Sequence, residues 1–191
     1  MDNIAFRDLL FLYLFGFLML VVLMLPFLNP PAKEDEVIPP GNVIVHITWP
    51  QGDTDVDLWV TGPGESTPVG YSHKSGALWN LLRDDLGARI DATDINYENE
   101  YTRGVIPGEY VINVHCFRCP RLPVPVDVEV SLKQGDVAGK APLKIIATTR
   151  VDLRKNKQEL TAMRFVLDNG GKLKPKSLNH VFKPLRTANT P

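Results

Sequence analysis

Three groups of side chains in this sequence could do chemistry, and each stands in a spacing that limits what it can do. Asp8 immediately precedes LLFLYLFGFLMLVVLMLPFL, residues 9–28, twenty positions without a charge. An ionisable group at the edge of such a run needs a partner, a water-filled path or the headgroup interface. At the interface, next to Arg7, it would be a solvated residue that helps cap the start of a helix.

Asp53, Asp55 and Asp57 form an Asp-x-Asp-x-Asp run, and Asp84 and Asp85 follow at a distance that a hairpin could close. Hard cations need several oxygen ligands at once, so these five carboxylates are the expected ligands of a calcium ion if the chain curls around it. The run lacks the glycine and distal glutamate of an EF-hand loop. In a strand all three aspartates of the run would share one face, and the alternative is a solvated acidic edge that discourages aggregation. They lie in the most acidic part of the chain. Residues 51–100 hold ten acidic side chains, Asp91, Asp94, Glu98 and Glu100 among them, against three basic ones.

Cys116 and Cys119 form a Cys-x-x-Cys pair that follows a strand instead of opening a helix, which removes the usual means of lowering a redox thiol's pKa. Zinc would need two further soft ligands, and the four histidines, His46, His73, His115 and His180, form no second pair of that spacing. A disulfide between Cys116 and Cys119 is therefore expected in an oxidising compartment, with Pro120 favouring the turn. No nucleophile–base pattern or phosphate-binding glycine loop is present, so no enzymatic activity is expected. The histidines read as surface or strand residues.

The elements that must hold these groups follow from composition. A helix of twenty residues at ~1.5 Å each spans about 30 Å, the thickness of the bilayer core, so residues 9–28 read as a transmembrane helix preceded by a cytoplasmic head, 1–8. A cleaved signal peptide would have a shorter apolar stretch and a small-x-small exit, which LNPPAKEDE lacks. Arg7 before the helix, and Lys33 after it within an acidic run, orient the N-terminus to the cytoplasm of a bacterial inner membrane and residues 29–191 to the periplasm. Residues 29–41 contain four prolines and four charges and make a semi-stiff linker. Beyond the helix, residues 29–191 carry 20 basic and 20 acidic side chains, which argues against a nucleic-acid partner.

Residues 42–170 read as an antiparallel β-sandwich, making the fold class mainly β with one N-terminal helix. Val126, Val128, Val130 and Leu132 alternate with Asp127, Glu129, Ser131 and Lys133, and Tyr110, Ile112, Val114 and Cys116 alternate likewise after Pro107-Gly108. NVIVHITW, VDLWV, LKIIATTRV and ELTAMRFVL supply further strands, the last also compatible with a short helix. Residues 171–191 form a basic tail. From Lys172 onward it has five basic residues and no acid; it is expected to be solvated or folded back on acidic surface, with an anionic partner or envelope polymer as the sharper reading.

A short head, an aspartate at the inner edge of FRDLLFLYLFGFLML and an outer domain: this arrangement resembles the B subunits of ion-driven motors, the MotB, ExbD and TolR family. The resemblance implies that Asp8 carries the translocated proton. It also implies a homodimer of this chain inside a pentamer of a polytopic MotA-, ExbB- or TolQ-like protein, with the outer domain doing mechanical work. The proline often found before that aspartate in the ExbD branch is missing here. WPQGDTDVDLWVTGPGE, then RDDLG and PGEYVINV, is similar to YfaP-like domains over residues 43–117, which implies a β-sandwich and no particular activity. The alternative to the motor is a membrane-tethered binding module for calcium or an envelope ligand, with the helix only an anchor.

Overall fold

The computed structural model describes residues 2–28, 41–88, 95–133 and 142–186, and the chain divides into two compact units, 1–39 and 40–191. The first unit contains one helix, α1, Asp2–Leu28. Its segment Asn3–Leu25 is long and apolar enough to cross a membrane, and its side chains are exposed all round. Such a helix has no polar face to turn toward water, so in water it would leave its whole girth unsatisfied.

The second unit is two antiparallel sheets. One has five strands in the order β3 (Trp79–Arg83), β4 (Tyr97–Thr102), β1 (Val43–Thr48), β6 (Val124–Lys133), β7 (Leu143–Leu153). The other has three, β2 (Asp55–Thr61), β5 (Gly108–Arg118) and β8 (Glu159–Leu167). The strands form because alternate residues can be hidden together. Val43, Val45 and Ile47 of β1 and Val126, Val128, Val130 and Leu132 of β6 face Val56, Leu58 and Val60 of β2 and Tyr110, Ile112 and Val114 of β5 in one core. ELTAMRFVL is the strand β8, burying Met163, Phe165 and Leu167.

Aromatic side chains fix how the sheets meet. Tyr110 stacks on Phe165, with ring centroids 5.2 Å apart, and takes Trp79 edge-on at 6.0 Å. Its hydroxyl is also satisfied, donating to the Ile106 carbonyl at 2.8 Å and accepting from the Ile106 amide at 3.1 Å. Gly108 starts β5 with φ +140°, and a Cβ there would stand 2.6 Å from Pro63 Cγ, so the turn into this strand requires glycine.

The basic tail is part of the domain as far as Arg186. Residues 172–179 line the edge of β8, where Lys174 N donates to Val166 O at 2.8 Å and Arg164 and Asn179 exchange two backbone hydrogen bonds. The chain then crosses the outer face of the three-stranded sheet and buries Leu185 against Trp59 and Val111. A boundary at residue 170 therefore cuts a packed unit: Lys183 folds back on Glu109 at 2.9 Å, and the tail's backbone and Leu185 complete the sheet. The linker 29–40, Asp91 and Asp94 lie outside the described residues.

Candidate functional site

Asp8 sits in the second turn of α1, and residue spacings of four, seven and eleven put Leu12, Phe15 and Met19 on its side of the helix. From Asp8 to Leu25 the helix rises about 26 Å at ~1.5 Å per residue, so the carboxylate lies near one end of the apolar segment, with Arg7 beside it.

The acidic run is drawn into contacts within the protein. Asp53 precedes β2 and is reached by Arg118 Nη2 at 3.3 Å. Asp55 and Asp57 do share one face of β2, but they are 2% and 3% exposed, not solvated. Asp57 Oδ2 lies 2.7 Å from His115 Nδ1, and Arg83 Nη2 holds Asp85 Oδ2 at 3.0 Å. Lys74 Nζ holds Asp84 at 2.8 Å. Each carboxylate thus meets a cation or an imidazole of the protein itself, and among the described residues no three His, Cys, Asp or Glu side chains are placed to hold a metal ion. Burial of Asp55 and Asp57 corrects the solvated edge, and ion pairing claims carboxylates that the sequence leaves looking free.

Burial shapes the electrostatics of this region. It pushes the Asp55 carboxyl up to about 7, with the neighbouring Asp57 charge adding to the effect and Arg118 opposing it. Asp57 is raised for the same first reason, though its contact with His115 holds it back. His115 completes a buried array with the tail, because Nε2 contacts Arg186 Nη1. A guanidinium nitrogen can only donate, so Nε2 accepts and the ring proton sits on Nδ1, directed at Asp57. With the ring wholly buried, this Asp–His pair has no access to a substrate and acts as a fastening for the tail.

Two functional-looking residues that sequence reasoning counted only as acidic surface are Glu98 and Glu100. Both point inward from β4, 1% and 0% exposed. Glu98 accepts the Leu58 amide of β2 at 2.7 Å and the Asp85 amide at 3.2 Å, clasping the edge of one sheet to the other. Among the described residues Glu100 has no hydrogen-bond partner for either oxygen. Burial raises both carboxyls well above their ordinary range, with the Glu65 charge adding to the effect at Glu100. No family model, curated protein or solved structure matches the chain. The site therefore stands on its own geometry.

Cys116 and Cys119 are joined by a disulfide with Cα atoms 5.9 Å apart, closing the end of β5. Asn156 Oδ1 accepts the Cys119 amide at 3.2 Å, tying that end to the β7–β8 turn. His46 is half-buried on the outer face of the five-stranded sheet, where its ring meets Tyr97, and His180 Nδ1 contacts the Ala162 carbonyl at 2.6 Å. On that outer face His46, Thr48, Asp127, Glu129, Thr148 and Arg150 line an open groove of about 430 Å³.

Proposed function

We propose that this chain is the membrane-anchored B-type subunit of a proton-driven motor or transport complex, with Asp8 as the proton carrier. Two copies of α1 would stand inside a pentamer of a polytopic MotA-, ExbB- or TolQ-like protein, N-termini in the cytoplasm, with the β domain transmitting force in the periplasm. The observation that carries this reading is one carboxylate, Asp8, on an otherwise apolar face of a continuous helix long enough to cross a membrane. A carboxylate so placed is costly in lipid, and a water-filled path at a subunit interface removes that cost. The membrane potential then supplies about 2.3 kcal/mol per charge per 100 mV for each proton that crosses.

Asparagine at position 8 cannot cycle a proton. Asp8→Asn should insert, dimerise and bind the partner normally while abolishing proton flux in reconstituted vesicles and complementation of a deletion strain. Full activity of that variant at normal expression would overturn the motor. The second reading, a tethered binding module, is favoured by the open groove around His46 and Glu129. In that case Asp8→Asn is silent and Glu129→Gln is not.

A further inference from the structure

The two sheets have four edges, and three of them are covered. At β2, Val60 exchanges two backbone hydrogen bonds with Val69, at 3.0 and 2.8 Å, and the Leu58 amide goes to Glu98. At β3, Leu81 N donates to Lys74 O and Gly76 N to Trp79 O, both at 2.9 Å. Residues 172–179 cover β8. The fourth edge belongs to β7, which is eleven residues long and among the described residues pairs only with β6. An edge of that length, with a row of unspent N–H and C=O groups, is a template for another strand.

We propose that two copies of this chain join edge to edge through β7, antiparallel, about a two-fold axis at Val151. The charges on the strand select both the partner and the register. The β6–β7 pairing is regular from Ala147 to Leu153 and shifts between Val130 and Ser131, so a partner strand can run straight only along the regular part. There Arg150 pairs across β6 with Asp127 and Asp152 with Pro125, on the outward face, while Val151 and Thr149 lie opposite Val126 and Val128, on the inward face. A two-fold axis at Val151 sets Arg150 of each copy opposite Asp152 of the other, making two cross-strand ion pairs, and brings Val151 against its own symmetry mate. An axis at Arg150 or Asp152 would oppose like charges, and one at Thr149 would make no ion pair. This strand is complementary to a second copy of itself in this sense. The inference rests on the reading that two copies share one complex, and tethering to one membrane raises their effective concentration.

The test uses the full-length chain in its membrane, where Cys116 and Cys119 are bonded to each other. Val151→Cys should oxidise to a covalent dimer, and Thr149→Cys, which would face Leu153, should do so about tenfold less. Adding Asp152→Arg to Val151→Cys should cut the dimer about tenfold by opposing two arginines at each pair. Adding Arg150→Asp and Asp127→Asn as well should restore it, because the cross-strand charges are then exchanged and the carboxylate that Arg150 holds at 2.6 Å is neutralised. A monomeric Val151→Cys protein, as a different strand or the linker seated on this edge would give, overturns the proposal. So does a dimer that Asp152→Arg leaves unchanged. Asp8→Asn leaves the cross-link in place, so loss of proton flux with an intact dimer tests the motor separately.

Discussion

Asp55→Asn isolates the electrostatic strain of the buried acidic region. In the folded domain the Asp55 carboxyl titrates at about 7 instead of 3.8, because burial penalises its charge and Asp57 repels it. The folded state therefore binds more protons than the unfolded chain between those values, and stability falls as pH rises through that window. Above about pH 7 the loss is complete; below the unfolded value it is absent. Each pKa unit corresponds to about 1.36 kcal/mol, so the ionised carboxylate costs at most about 4 kcal/mol at pH 8. Asparagine fills the same volume without the charge. The variant should match the parent near pH 3.5, gain steadily to pH 7 and then run parallel. For a domain of this size each kcal/mol moves the midpoint by about 2–4 °C, which makes the expected gain at pH 8 roughly 10 °C. Trp49, Trp59 and Trp79 all lie in the β domain, so tryptophan fluorescence during heating of the whole chain in micelles reads this unit alone. Glu98 and Glu100 are present in both proteins and largely cancel, whereas the repulsion between Asp55 and Asp57 is lost in the variant and is part of its gain. A variant that melts at the parent's temperature at pH 8, or below it at every pH, would refute the reasoning.

Glu98→Ala should destabilise the domain by about 1–3 kcal/mol, since the buried Leu58 amide loses its acceptor; Glu98→Gln, which keeps an acceptor oxygen, should cost less, as chemical denaturation would show. Leu185→Ala should cost roughly 2–5 kcal/mol of the tail's attachment and speed tryptic cleavage after Arg186 before the remainder of the domain unfolds. Millimolar calcium should leave the melting midpoint unchanged, because the carboxylates of the acidic run are already engaged; a rise of several degrees would restore a cation site around Asp53 and Asp85. Intact mass of protein purified from the envelope should rise by two hydrogens on reduction, reporting the bond between Cys116 and Cys119.

The helix was legible from its twenty positions without a charge, and six of the eight strands because their apolar residues recur at the period of the element, as in Val124–Lys133. β4 was not, and the reason is chemical. Its sequence is YENEYT, in which the inward slots hold Glu98, Glu100 and Thr102 and the outward ones Tyr97, Asn99 and Tyr101, the reverse of the usual alternation. β3 is five residues long and carries Asn80 and Arg83, too short and polar to register as a period. Of the acidic run, the spacing placed Asp55 and Asp57 on one face but could not reveal that His115, fifty-eight residues on, would meet Asp57 there. That contact depends on β2 pairing with β5, a tertiary fact. Glu-x-Glu between two tyrosines was the available signal for buried carboxyls, and net charge masked it.

The position of residues 172–186 in the chain has a consequence for biogenesis. All eight strands are made before this segment, yet it supplies the cover of the β8 edge and the groups that meet Asn113 and Glu159, through the Lys183 carbonyl and the Leu185 amide. Synthesis of residues 171–186 takes about one to a few seconds at 5–20 residues per second, during which this segment is not yet there to cover the β8 edge. Nonsense mutations just after residue 170 would then release a product with all the described strands but no seal, which makes them a source of aggregates rather than of a shortened working protein.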